Sequence, residues 1–65
     1  EEIYLTSSAV IQRYRITDLL GNEVVIASPN AVSTQVSTSQ LSAGIYIIEV
    51  ATAQGTFVNK ITIRH

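Results

Sequence analysis

The chain's 65 residues fit one small domain. Hydrophobic residues make up 46% and charged residues 14%, and isoleucine, valine and threonine alone fill 23 positions. The absence of cysteine excludes a disulfide framework, thiolate chemistry and a cysteine zinc site, and a net charge of −1 leaves no basic footprint for nucleic acid or anionic lipid.

High β-branched content with little charge argues against disorder, and no apolar run is long enough to span a bilayer, so no membrane insertion is expected. A domain of about 60 residues buries only about 60% of its unfolded surface. Stability must then come from a tight apolar core or from contact with another molecule. There is no initiator methionine and no signal peptide, so the chain reads as a piece of a longer protein.

Helical periodicity is weak, whereas five or six short runs with strand alternation are separated by turn residues. The first covers residues 3–6 and ends at Ser7-Ser8. The second covers 10–17; alternation puts Tyr14 and Ile16 inward and Arg13 and Arg15 in solvent, with Ile11 on the arginine side. Asp18-Leu19-Leu20-Gly21 suits a type I turn, with the carboxylate bonding the turn amides, and joins this run in a hairpin to the third, 23–27. Pro29-Asn30 marks the next turn.

Residues 31–40 are rich in Ser, Thr and Gln. A flexible linker is one reading, but Val32, Thr34, Val36 and Thr38 share a parity, which favours an exposed strand with one wet face. Residues 39–44 form a corner. Residues 45–52 make the strongest strand; Tyr46, Ile48 and Val50 share one face and the other is also largely apolar, so it should be central. Ala53-Gln54-Gly55 reads as a three-residue hairpin loop with Gly55 in the left-handed position. The last strand spans 56–64, with Phe57, Asn59, Ile61 and Ile63 inward and Val58, Lys60, Thr62 and Arg64 outward. No internal repeat is visible.

The sequence assembles no catalytic set and no metal site, and it implies no cofactor. The carboxylates are Glu1, Glu2, Asp18, Glu23 and Glu49, and only Glu49 sits in a strong strand, with no second carboxylate nearby in sequence. His65 reads as a native last residue or as tag-derived, ahead of a ligand. Seven serines without an internal histidine suggest no nucleophile. Arg13, Arg15, Lys60 and Arg64 read as solubility and edge protection; a basic recognition strip is the alternative if the second and last strands are neighbours.

The hexapeptide Leu41-Ser42-Ala43-Gly44-Ile45-Tyr46 is the most informative segment. Gly44 turns the chain where a Cβ would clash, Leu41 can plug the end of the core, and the inward Tyr46 needs a partner for its hydroxyl. Such a tyrosine corner points to an immunoglobulin-like antiparallel β-sandwich of about six to seven short strands.

Three segments in order resemble a known family: Tyr-Arg-Ile-Thr-Asp-Leu-Leu-Gly-Asn-Glu-Val, then Leu-Ser-Ala-Gly-Ile-Tyr-Ile-Ile-Glu-Val, then Gly-Thr-Phe-Val-Asn-Lys-Ile-Thr-Ile. Together they look like the C-terminal sorting domain of the type IX (Por) secretion system, type A, over residues 3–64 and hence over the single domain 1–65. The resemblance implies a non-enzymatic targeting module at the end of secreted cargo in Bacteroidetes-type bacteria. It would pass the periplasm, be recognised by the outer-membrane translocon and be removed by a surface sortase, with the N-terminally fused cargo at the cell surface or secreted. The family's turn maps to Asp18, Leu19 and Gly21, its Gly-x-Tyr to Gly44 and Tyr46, and its late lysine to Lys60. The Pro-Asn-Pro segment usual before the first strand is absent here, which implies an unpaired edge and a tendency to homodimerise. Recognition is expected at Gly44, Tyr46, Lys60, Thr62 and Arg64, on a frame fixed by Asp18, Leu19, Gly21, Leu41 and Gly55. The competing reading is a structural or carbohydrate-binding β-sandwich module, for which Tyr4 would be the exposed aromatic.

Overall fold

The computed structural model describes residues 2–64. Five strands form among them: β1 (Glu2–Thr17), β2 (Glu23–Ala27), β3 (Ala31–Ser37), β4 (Gly44–Thr52) and β5 (Gly55–Ile63). All pairings are antiparallel, in one sheet of order β2-β1-β4-β5 with β3 also on β1. The chain is therefore all-β, and residues 31–37 form a strand rather than a linker.

The count is five instead of six to seven because Ser7-Ser8 does not end a strand. At about 3.3 Å per residue, the 16 residues of β1 would stretch to about 50 Å if straight. The whole body measures 30 × 22 × 15 Å, so β1 must bend. The ladder locates the bend. From Glu2↔Ser37 to Thr6↔Ser33 the first half of β1 pairs with β3; the next partners are Ile11↔Ala31, so five steps on β1 match two on β3. Within the slip, the Ala9 amide donates to Ser7 Oγ at 3.2 Å. A serine that captures a nearby amide offers the backbone an alternative to the ladder, which is how it can loosen a strand without terminating it.

Beyond the bend, β1 pairs with β2 on one edge and β4 on the other. Tyr14↔Ala27 is followed by Ile11↔Ala31, so β2 and β3 lie end to end along the same edge of β1. Pro29-Asn30 is thus a jog between collinear strands, with Asn30 at φ 52°, and not a reversal of the chain.

A second irregularity corrects the strict alternation expected for residues 10–17. Ile11↔Thr52 is followed by Arg13↔Ala51, two steps on β1 against one on β4, which makes Gln12 the extra residue of a β-bulge. The bulge flips the phase. Odd residues point inward before it (Ile3, Leu5, Ile11) and even residues after it (Tyr14, Ile16). Ile11, expected outside, is only 1% exposed, and Gln12 is exposed.

The core consists of Ile11, Tyr14, Ile16, Val36, Tyr46, Ile48 and Ile63, flanked by Ile3, Leu5, Val25, Ala27, Leu41, Val50 and Ile61. Ile3, Leu5 and Val36 come from the β1–β3 ribbon and most of the others from the four-stranded part, so the bent sheet closes over its own apolar face. β4 is central, as its two apolar faces predict. β5 departs from expectation: only Ile61 and Ile63 of its inward set are covered, and Phe57 is 56% exposed. The Ile63 end of β5 joins the core, whereas toward the hairpin Phe57 and Asn59 border an open cleft shared with Leu5, Thr6 and Ser7 of the ribbon. The β4–β5 ladder closes at Thr52↔Gly55, so the loop proper is the two residues Ala53-Gln54. Gly55 carries the positive φ of 133°, and Thr52 Oγ1 caps the loop by accepting from the Gln54 amide and donating to the Gly55 carbonyl, both at 3.1 Å.

Candidate recognition surface

The expected site residues fall into three places. The first is the β1–β2 hairpin tip. Asp18 Oδ1 accepts from the amides of Leu20 and Asn22, each at 2.9 Å, and Oδ2 accepts from Asn22 Nδ2 at 3.2 Å. The Gly21 amide donates to the Asp18 carbonyl at 3.1 Å, closing the turn, and Gly21 has φ 90°. The Asn22 backbone amide, then its side-chain amide, hold the Asp18 carboxyl below its ordinary 3.8 against the opposing effect of desolvation, with smaller help from the Leu20 and Gly21 amides. One carboxylate therefore organises the whole tip, which leaves Leu19 about two-thirds and Leu20 almost fully exposed to solvent.

The second place is the corner before β4. The Tyr46 hydroxyl donates to the Ser42 carbonyl at 2.6 Å, the tie-back expected of a tyrosine corner. Tyr46 itself is buried, and Leu41 packs against the core edge. The reason given for Gly44 needs correction: a Cβ built there meets nothing within 4 Å, so the backbone angle of +158° and not a clash is what favours glycine.

The third place is β5. Lys60 and Thr62 are exposed on its outer face, opposite Ile47 and Ile45 of β4, and Arg64 follows, exposed, beyond the strand. Residues 55–60 are exposed on both faces. His65 lies outside the described residues, as does Glu1.

The basic residues do not form a strip, because β4 runs between β1 and β5. The rows across the outer face read Arg13–Ala51–Thr56, Arg15–Glu49–Val58 and Thr17–Ile47–Lys60. Nor are Arg13 and Arg15 edge protectors, since their half of β1 is interior to the sheet. Arg15 instead bridges three strands, with its two terminal nitrogens 3.1 Å from Glu23 Oε2 on β2 and 3.1 Å from Glu49 Oε1 on β4. Glu23 and Glu49 are thus brought to one arginine, although they are remote in sequence. The antiparallel register Arg15↔Glu49 was the only signal that could have found this cluster, and register is not visible before the strands are paired. The cluster holds one guanidinium between two carboxylates on a half-exposed face. Arg15 Nε has no partner.

Two shallow clefts flank the bend of β1. One, of about 180 Å³, is lined by Leu5, Thr6, Ser7, Ile11, Val50, Phe57 and Asn59. The other, of about 280 Å³, is lined by Tyr4, Leu5, Thr6, Ser33, Thr34 and Gln35. No carboxylate, lysine or arginine lines either. Tyr4 is exposed as expected and Phe57 unexpectedly so, but they line different clefts and make no joint aromatic platform.

A display surface on a small all-β frame is what these features define. A family profile described as a secretion system C-terminal sorting domain matches residues 1–64. The chain belongs to that family, the sorting domains of type IX secretion, which is a family of export signals and not of enzymes. Searches of curated proteins and of solved structures returned no match.

Proposed function

We propose that this domain is read by the outer-membrane translocon of the type IX pathway through β5, and that its recognition residues are Lys60, Thr62 and Arg64 on a frame set by Asp18, Leu19, Gly21, Leu41, Gly44, Tyr46 and Gly55. The family match over residues 1–64 carries this reading. In this reading the fold is an immunoglobulin-like sandwich, with the β1–β3 ribbon as its second layer. The fused cargo crosses the periplasm, reaches the surface or the medium, and is separated from the domain by a sortase.

The geometry supports the choice of β5. It is a terminal strand of the sheet, pairs only with β4 among the described residues, and is exposed on both faces from Gly55 to Lys60. A strand with one free edge offers main-chain groups for strand addition, and its outward side chains supply specificity. A carbohydrate-binding role is not favoured, because Tyr4 and Phe57 face different clefts.

The test is export. This domain, fused behind a periplasmic reporter in a type IX-competent strain, carries the reporter out of the cell. Replacing Lys60 and Arg64 with alanine retains the reporter in the periplasm while the domain's circular dichroism stays unchanged. Normal export of the double variant would sink the assignment of β5 as the element that is read.

A further inference from the structure

We propose that the N-terminal half of β1 slides on β3 between two registers: the resting one, and one displaced by two residues toward the start of the strand. The slide does not rest on the sorting reading.

The bend supplies the slack. Residues 7–10 stay in strand conformation, and their exposure keeps alternating, with Ser7 and Ala9 half-buried and Ser8 and Val10 exposed. Yet none of the four has a ladder partner among the described residues, on β3 or on β4. On β3 only Val32 is skipped.

Face and length leave one alternative register. A shift by one or three residues turns the apolar face of the ribbon to solvent. A shift by four sets Val10 where Thr6 stands, and one step on β1 to Ile11 cannot then span two on β3. A shift the other way adds residues to a run that is already unpaired. A shift by two toward the start sets Ser8 opposite Ser33, Ser7 opposite Thr34, Thr6 opposite Gln35, Leu5 opposite Val36 and Tyr4 opposite Ser37. Three steps then join Ser8 to Ile11. They reach about 10 Å, against about 7 Å from Ser33 to Ala31 on β3, so the chain still connects.

Main-chain pairing is matched, because residues 33–37 are paired with residues 2–6 at rest and with 4–8 after the slide. The difference lies on the inner face. At rest, Ile3 and Leu5 stand opposite Val36 and Thr34; displaced, Leu5 and Ser7 stand there. Exchanging isoleucine for serine on that face disfavours the displaced register, offset in part by Ser7 opposite Thr34, a favourable cross-strand pair. The displaced register is therefore a minor state, on the order of 1%.

The slide also reaches the other layer. Leu5, Thr6 and Ser7 share the cleft of about 180 Å³ with Ile11, Val50, Phe57 and Asn59. After the slide, Ser7 stands where Leu5 stood and Ala9 where Ser7 stood. A displacement at the start of β1 thus changes what borders Phe57 on β5, while the ladders from Ile11 onward stay in place. It also releases about 7 Å of chain ahead of the ribbon. On the sorting reading that is the side of the fused cargo, so tension on the joint favours the displaced register.

The test is nuclear magnetic resonance on the 65-residue chain. In wild type, relaxation dispersion and saturation transfer show exchange with a minor state at residues 2–10 and 33–37 and at Phe57, and not in β2. The minor-state shifts of residues 4–8 remain those of a strand. In Ile3→Ser both registers bury one leucine and one serine, so both become populated. Cross-strand contacts of Leu5 to Val36 then appear beside those to Thr34. Two double variants change exposed residues only and leave the core intact. Tyr4→Glu with Gln35→Lys sets opposite charges face to face at rest, and Thr6→Glu with Gln35→Lys does so in the displaced register. Each adds one charge of either sign, so the net charge stays −1. The first lowers the displaced fraction below wild type and the second raises it above, and the two differ by about fivefold. A displaced fraction in the second variant no higher than in wild type, absence of exchange in both included, overturns the inference. So do random-coil minor-state shifts, which report fraying, or a folded Ile3→Ser chain in which Leu5 meets Thr34 alone. No transport machinery is present, so none of these results bears on the sorting reading.

Discussion

Asp18 and Tyr46 each do with one side chain what a longer loop would need several residues to do. Removing the Tyr46 hydroxyl by Tyr46→Phe leaves the ring packed and loses one hydrogen bond of 2.6 Å to the Ser42 carbonyl. Ser42 is exposed, so water can take over that carbonyl. The expected cost is about 1 kcal/mol, read as a lower urea midpoint with unchanged m. Asp18 supplies a pH dependence. Its carboxyl is held below 3.8 by hydrogen bonds that only the folded tip provides, so the folded state binds the proton less readily than the unfolded chain. The contribution is complete above the unfolded pKa and is lost as pH falls through the lower folded value. On acid titration below pH 3.8, the Leu20 and Asn22 amide resonances should move together toward random-coil positions while those of β4 stay put. In Asp18→Asn, the same resonances should be pH-independent over that range. Both residues were legible in the sequence because their chemistry is local, with partners two to four positions away.

At the scale of elements, β1 and β5 show where reading the sequence fails. Alternation correctly placed the inward face of β4, residues 14 and 16, and Thr34, Val36 and Thr38, though Val32 of the same parity is exposed. It failed at Ile11, because one bulged residue inverts the phase of everything on one side of it, and a bulge leaves no mark in the hydrophobic pattern. It failed again at Phe57, because parity says which face a residue occupies and not how far the opposing layer reaches. The bend at residues 7–10 is half legible: Ser7-Ser8 mark the place, but their composition reads as the end of a strand instead of a hinge within one. Gln12 gives this a test. It is exposed, so Gln12→Ala should change stability by no more than about 0.5 kcal/mol. Deleting Gln12 leaves Ile11, Arg13, Tyr14, Arg15 and Ile16 in unbroken alternation, so Ile11 and the Tyr14–Ile16 pair still face the core together. The deletion variant should therefore keep its cooperative thermal transition and its near-ultraviolet tyrosine signal. Loss of both would mean that the bulge itself, through the local bend and twist it adds, is needed to close the core.

For the whole molecule, the decisive quantity is how little core there is. Among the described residues, seven buried apolar side chains form the core of a chain that has no cysteine. Domains of this size rarely draw more than about 3–5 kcal/mol from their core. One interior truncation is then comparable to the whole. Ile16 is fully buried near the C-terminal end of β1, between β2 and β4, so Ile16→Ala should cost about 3 kcal/mol or more, with a remaining cavity adding to the lost burial. Phe57 is larger, yet more than half exposed, and Phe57→Ala should cost under about 1 kcal/mol. The order inverts what side-chain size suggests, and thermal unfolding of the two variants checks it. The same pair separates two ways in which a transport machine could read the domain. If the folded body is required, Ile16→Ala abolishes export of a fused reporter and Phe57→Ala permits it. If an opened last strand is required, the destabilised Ile16→Ala variant is exported at least as well as wild type. The covered end of β5 near Ile63 ties the strand to the core, while its bare end near Phe57 leaves main-chain edge available without unfolding. That asymmetry favours the folded body, so loss of export in Ile16→Ala is the expected result.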